Sequence, residues 1–191
     1  PQSFIFSDQE KIIAIQSKAE FPVALQKELK DPSLPKGLIR RLVFSREKTP
    51  GIKEFLDGPT FLEFLEARPP LELSRTLTNQ LYFGIFKEEK NSPILVLETK
   101  QFEQAFAGML EWEKGLVQDL AVLIPEDVNK ETRTKSFSDQ VIKNQDVRLI
   151  VNTDEKPILY YTFFNKKFLV IAFNERALEK IIERLTISLP L

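Results

Sequence analysis

Pro157–Leu185 reads PILYYTFFNKKFLVIAFNERALEKIIERL. Its first eight residues are apolar or aromatic apart from Thr162, a strand composition. Asn165-Lys166-Lys167 breaks the run, and Phe168–Phe173 (FLVIAF) resumes it. Asn174 is a preferred N-cap type, after which Ala177, Leu178, Ile181, Ile182 and Leu185 recur at helical spacing. The stretch therefore reads strand, turn, strand, helix. The same order stands upstream: Leu81–Lys87 (LYFGIFK), the break Glu88–Ser92, Pro93–Glu98 (PILVLE), and Thr99 opening a helix over Lys100–Leu120.

The stripe of that helix runs through Phe102, Phe106, Met109, Leu110, Leu116, Val117, Leu120 and Leu123, with Trp112 off its centre. Gly108 and Gly115 each cost a helix about 1 kcal/mol relative to Ala, which points to close packing or to a bend near Gly115. A less regular third copy spans Ser3–Leu29. It comprises strands at Ser3–Phe6 and Lys11–Gln16, the capping-box pattern Ser17-x-x-Glu20, and a helix whose Pro22 puts its start near Phe21. Between the copies, Leu38–Phe44 reads as a strand, and Gly58-Pro59 and Pro70–Leu77 mark short helices. Glu126–Ser136 is polar and reads as a mobile loop. Phe137–Ile142 and Val147–Asn152 read as strands around the turn Lys143–Asp146.

Strand pairs on short turns make antiparallel ladders, and a helix after each pair must cover a sheet face. The expected fold is one α+β domain over residues 1–191, with pseudo-repeated halves near 1–78 and 79–191. A largely antiparallel sheet is built from repeated ββα units, with the helices packed on one face.

Composition narrows the chemistry. The 191 residues are 42% hydrophobic and 29% charged, a globular balance. Net charge is −1, from 27 basic and 28 acidic residues, so no global field draws nucleic acid or an anionic membrane. Cys and His both number 0. That excludes disulfides, thiolate sites, Ser-His-Asp hydrolysis and the His-Glu-x-x-His metalloprotease site. No apolar run reaches the roughly 18–20 residues that span a bilayer. With 6 glycines there is no Gly-rich dinucleotide or phosphate loop.

The remaining candidates are sparse. Ser33-x-x-Lys36 and Ser45-x-x-Lys48 match the nucleophile–base spacing of serine acyl-transferases, provided a helical turn brings hydroxyl and amine together. Solvated loop residues give the same pattern. Glu111 with Glu113, Glu126 with Asp127, and Asp154 with Glu155 are paired carboxylates of the kind glycoside hydrolysis needs; adjacent acids also occur on any solvated face. Glu126, Asp127 and Glu131 cluster without the calcium-loop pattern. Arg40-Arg41 and Lys166-Lys167 are basic doublets in or beside strands, the latter flanked by Phe163, Phe164 and Phe168, as an RNA-binding sheet would require. The 16 Phe residues either fill a core or line an apolar cavity.

LYFGIF, PILVLE, FAGMLEWEKGLVQDL, FSDQVIKNQDVRLIV and YYTFFNKKFLVIAFN, with ERALEKIIERL, resemble uncharacterised extracytoplasmic domains of candidate-phylum bacteria. Those domains look related to a wider bacterial family of unknown function with two ββα-like halves. The resemblance implies a proline-rich cytoplasmic segment and one transmembrane helix ahead of the domain, and it carries over no catalytic residue. The start at Pro1 without Met reads as a processed or trimmed piece. The expected function is a non-enzymatic extracytoplasmic interaction or scaffold domain of a membrane-anchored envelope protein. Its partners are proteins of the cell envelope, with no nucleic acid. No residue is singled out as catalytic, cofactor-binding or metal-binding, and no cofactor is expected. Two alternatives stay open: a carrier of a lipid or other apolar ligand in a Phe-lined cavity, and a hydrolase using carboxylate or Ser/Lys chemistry.

Overall fold

The computed structural model describes residues 2–49, 51–124 and 135–188. The strands are β1 (Gln9–Ile15), β2 (Ile39–Thr49), β3 (Ile52–Phe55), β4 (Leu77–Lys87), β5 (Asn91–Thr99), β6 (Ser138–Ile142), β7 (Gln145–Val151), β8 (Pro157–Phe164) and β9 (Phe168–Ala172). The helices are α1 (Phe21–Lys30), α2 (Gly58–Phe64), α3 (Leu71–Ser74), α4 (Phe102–Trp112), α5 (Leu116–Asp119) and α6 (Glu175–Ser188). These nine strands join one sheet in the order β1-β2-β4-β5-β9-β8-β7-β6, with β3 paired to the far end of β2. Every ladder among the described residues is antiparallel except β1–β2. The α+β class and the largely antiparallel sheet are as the sequence implies.

The centre of the sheet explains why PILVLE and FLVIAF are so continuously apolar. β5 pairs with β9 from Ile94↔Ala172 to Glu98↔Phe168. Leu95, Leu97, Leu169 and Ile171 face one core, and Ile94, Val96, Val170 and Ala172 face a second. A strand covered on both faces loses the alternation of a half-buried one. The first core, on face A, lies under α1 to α5. The second, on face B, lies under α6, whose Ala177, Leu178, Ile181, Ile182 and Leu185 are all buried.

The helices thus cover both faces rather than one. A rotation that carried β4–β5 onto β8–β9, with β5 and β9 as antiparallel neighbours, would leave the two succeeding helices on the same face. α4 and α6 lie on opposite faces, so the two ββα stretches are alike along the chain but not related by symmetry. Local pattern holds no cue to this, because both faces of β9 are apolar.

The N-terminal unit also differs from the expected ββα. Ser3–Phe6 is irregular: the Ser3 hydroxyl donates to Ile5 O at 2.6 Å, and the Ile5 N–H donates back to Ser3 Oγ at 3.2 Å. The segment is a strap over face B, with Ile5 buried and Phe4 stacked on Phe168 at 5.3 Å. Asp8 pins it, accepting from Arg184 Nη2 at 2.9 and 3.0 Å and from the Ile39 N–H at 2.8 Å. Beyond the strap the chain forms β1, then α1, then β2 parallel to β1. The expected capping box does not form: Glu20 accepts from the N–H of Gln16, one residue before the N-cap, and the Ser17 side chain caps nothing. The helix starts at Phe21, as Pro22 suggests.

Ion pairs sew β1 and α1 to β2. Lys11 binds Glu28 at 2.8 Å, Arg41 binds Glu10 at 2.7 Å, and Arg40 binds Asp31 at 2.8 Å. The Ser33 N–H and hydroxyl, with Arg40, hold the Asp31 carboxyl down at about 2.

The long helix foreseen over Lys100–Leu120 breaks after Trp112 and resumes as α5 at Leu116, with Gly115 in the gap. The Trp112 indole N–H donates to Asp119 across the bend at 2.7 Å, and the ring is buried. Gly108 has the packing role. A Cβ there would stand 2.6 Å from Leu73 N and 2.8 Å from Leu73 Cβ, so α4 and α3 touch backbone to backbone. Asn174 caps α6 as expected, accepting from the Ala177 N–H at 2.7 Å.

Gly108→Ala should destabilise the protein by about 1–3 kcal/mol through overpacking, despite a helix-propensity gain of about 1 kcal/mol. Gly115→Ala, which meets nothing within 4 Å, should leave stability nearly unchanged; urea denaturation of both variants checks this. A second prediction concerns pH. A carboxyl whose folded pKa lies below its unfolded value stabilises the fold above the unfolded pKa and ceases to do so as pH falls through the folded one. The stability gap between wild type and Asp31→Asn should be constant above about pH 4 and shrink toward pH 2.

Candidate functional site

The residues singled out by sequence pattern mostly have structural employment. Ser45 lies within β2, and positions three apart on a strand stand about 10 Å apart along it. The helical turn that would join Ser45 to Lys48 is therefore missing. Ser33 Oγ accepts from Arg40 Nη2 at 3.0 Å, while Lys36 pairs with Glu89. Arg40 and Arg41, 8% and 4% exposed, are neutralised by Asp31 and Glu10, so this doublet is no nucleic-acid surface. Asp154 and Glu155 sit in a turn held by Asn152, whose Oδ1 accepts from the Asp154 and Lys156 N–H groups, and Glu155 pairs with Lys135. Glu126, Asp127 and Glu131 lie outside the described residues. Among the described residues no cluster of three acids could hold a metal ion, and no helix is long and apolar enough to cross a membrane. Phe21, Phe44, Phe61 and Phe83 pack ring against ring, at 4.9 Å for Phe21–Phe44 and for Phe61–Phe83, and fill core rather than line space.

One place gathers polar groups beside uncovered aromatic rings. It is the end of face A formed by β6, β7 and β8, next to α4. The register builds it in rows. Asp139 (β6) pairs with Arg148 (β7), and Arg148 with Tyr161 (β8). One step along, Val141 pairs with Asp146, and Asp146 falls beside Phe163. Side chains two apart on a strand share a face, so both rows look out from face A. The tight turn Lys143-Asn144, both residues at positive φ (51° and 59°), sets the β6–β7 register.

The floor is an arginine–carboxylate–phenol cluster. Arg148 donates from Nε and Nη2 to the two oxygens of Glu113, and from Nη1 to Asp139 at 2.8 Å. The Tyr161 hydroxyl donates to Glu113 Oε1 at 2.6 Å. Burial, and then the adjacent Glu113 carboxylate, push the phenol well above its usual range, so it stays protonated. Glu113, backed by Asp139, raises the Arg148 guanidinium further. Of the candidate pair Glu111 and Glu113, only Glu113 enters the site, and both its oxygens are engaged. Such a cluster anchors the bend after α4 to the sheet, with both Glu113 oxygens and the Tyr161 hydroxyl already bonded within it.

The wall is aromatic. Phe102, Phe106 and Phe163 contact one another with ring centroids 5.4–6.1 Å apart. Phe106 remains 36% exposed and Leu110, one turn on, also faces solvent. Lys166, from the second basic doublet, stands with Nζ 5.5 Å from the Phe102 ring centre, while Lys167 pairs with Glu98. Floor and wall enclose an open cleft of about 400 Å³. Asp139, Arg148 and Tyr161 carry no motif, so sequence reading missed them. The one available signal was Phe102, Phe106 and Leu110 at i, i+4, i+8, half a stripe too many for a helix with one buried face.

No family model, curated protein or solved structure matches this chain.

Removing the floor should cost stability in a defined order. Tyr161→Phe should lose about 1 kcal/mol, and Glu113→Gln about 2–3 kcal/mol because Arg148 keeps its charge without its main partner. The pair Glu113→Gln/Arg148→Met should lose less than the sum of its single changes. Chemical denaturation of the cycle measures this.

Proposed function

We propose that the chain is a non-enzymatic interaction domain that binds a protein partner at the cleft between α4 and the β6–β8 end of face A. The observation that carries this is the partly exposed ring cluster Phe102, Phe106 and Phe163 over a charge-neutralised floor. Partly exposed aromatic side chains with polar groups at their margin are the usual make-up of a protein-binding patch, and the side chains of the Arg148–Glu113–Tyr161 floor are already engaged with one another. The cell-envelope setting, with a membrane anchor ahead of the domain, rests on the sequence resemblance. It fails if the full-length gene encodes no export signal or hydrophobic anchor upstream of Pro1.

A photo-crosslinking amino acid placed at exposed Leu110, beside the ring cluster, in the native host tests the binding reading. A discrete crosslinked protein is expected. Phe106→Asp should abolish the interaction without changing the far-UV spectrum, because the ring is only partly buried. A wild-type cleft that crosslinks no protein overturns the reading.

A further inference from the structure

The cleft is chemically lopsided, and the imbalance points to what it binds; this inference rests on the interaction reading of the same site. Asp146 lies between Val141, which is 68% exposed, and Phe163 on face A. Its carboxylate has no hydrogen-bond or ion-pair partner among the described residues, while its backbone carbonyl accepts from the Thr162 hydroxyl. Asp139, one row away, has a side chain 83% exposed and a single contact, to Arg148. The positive charge of the floor is already matched by Glu113 and Asp139, so it leaves an arriving cation little to overcome. The aromatic wall takes ammonium groups, since Lys166 rests on Phe102. An unpaired carboxylate flanked by apolar side chains complements a cation on an aliphatic stem, which lies along the rings while its charge reaches the acid.

The sheet supplies the means of delivery. β6 pairs only with β7 among the described residues, and no described strand takes up the backbone groups of its other edge. β6 carries one charge, Asp139, and no basic residue. A basic strand alongside β6 meets an acidic edge, whereas a second β6 would add only another acid to it. We infer that the partner is a polypeptide segment that adds as a strand to β6 and lays a lysine or arginine across Val141 onto Asp146 and Asp139. Backbone bonds to β6 hold the segment, and the acid pair selects its sequence.

Panning a random dodecapeptide phage library on the immobilised wild-type domain tests this. Chosen peptides are resynthesised and titrated against wild type and Asp146→Asn, with amide NMR shifts mapping where they bind. The Asp146 side chain supports no fold contact, so the variant should fold. Enriched peptides should carry Lys or Arg among β-branched residues and shift the amides of Ser138–Ile142. They should bind Asp146→Asn about five-fold or more weakly, with affinity falling as salt rises. Peptides that occupy the cleft but are acidic or uncharged, or that bind Asp146→Asn equally well, overturn this inference and leave the interaction reading standing. Failure to enrich any peptide that shifts β6 or the Phe106 and Phe163 amides overturns both.

Discussion

The pairing of β5 with β9 carries the rest of the structure. Five residues of one strand, Ile94–Glu98, meet five of the other, Phe168–Ala172, and join the first half of the sheet to the second. Both cores are built on this seam, since alternate residues of the same two strands form the floor of each. Burial on two faces doubles the apolar area that the seam removes from water, at about 25 cal/mol per Å², and the ladders on either side bond its backbone within the sheet. The seam also joins segments seventy or more residues apart, so loop closure precedes its reward and should make it a late, slow contact in folding.

Toward the edges the same sheet becomes progressively polar. β1 is parallel to β2 and is joined to it through α1, and ion pairs replace apolar side chains there: Glu10 with Arg41, Asp31 with Arg40, Glu28 with Lys11. Buried arginines tolerate such positions only when matched, and here the matching acids come from β1 and the end of α1, which ties the edge strand to the helix. At the opposite edge the helical cover ends early. α4 is pinned to α3 at Gly108 and stops at Trp112, so its Phe102, Phe106 and Leu110 flank an open stretch of β6–β8. The Arg148–Glu113–Tyr161 cluster closes the gap between the end of α4 and the sheet. Helix placement and cleft share one cause: the backbone contact that fixes α4 also leaves part of its apolar stripe without a partner.

Much of this was readable from local pattern. PILYYTFF and FLVIAF declared buried strands, Asn174 announced α6, Pro22 located the start of α1, and Gly108 signalled close packing. Other features were not. FIF at Phe4–Phe6 is too short to distinguish a strand from a strap, and Ser3 closes a local turn in its place. Lys100–Leu120 keeps helical periodicity through the break because Leu116 and Leu120 resume the same side. Asp139, Arg148, Tyr161 and Glu113 come from three strands and the end of a helix, so no window of sequence contains them.

Periodicity and composition were enough to mark most strands and helices, to show the central strands apolar on both sides, and to exclude His and Cys chemistry. These are local properties, set by how each side chain meets its nearest neighbours along the chain. Three features were settled only when the chain closed on itself: α6 takes the face opposite α4, β1 runs parallel to β2, and among the described residues one end of face A is left uncovered beside three phenylalanines. Those are choices among non-local pairings. A strand apolar on both sides offers two equivalent faces, and the helix that arrives takes the one its neighbours have left free.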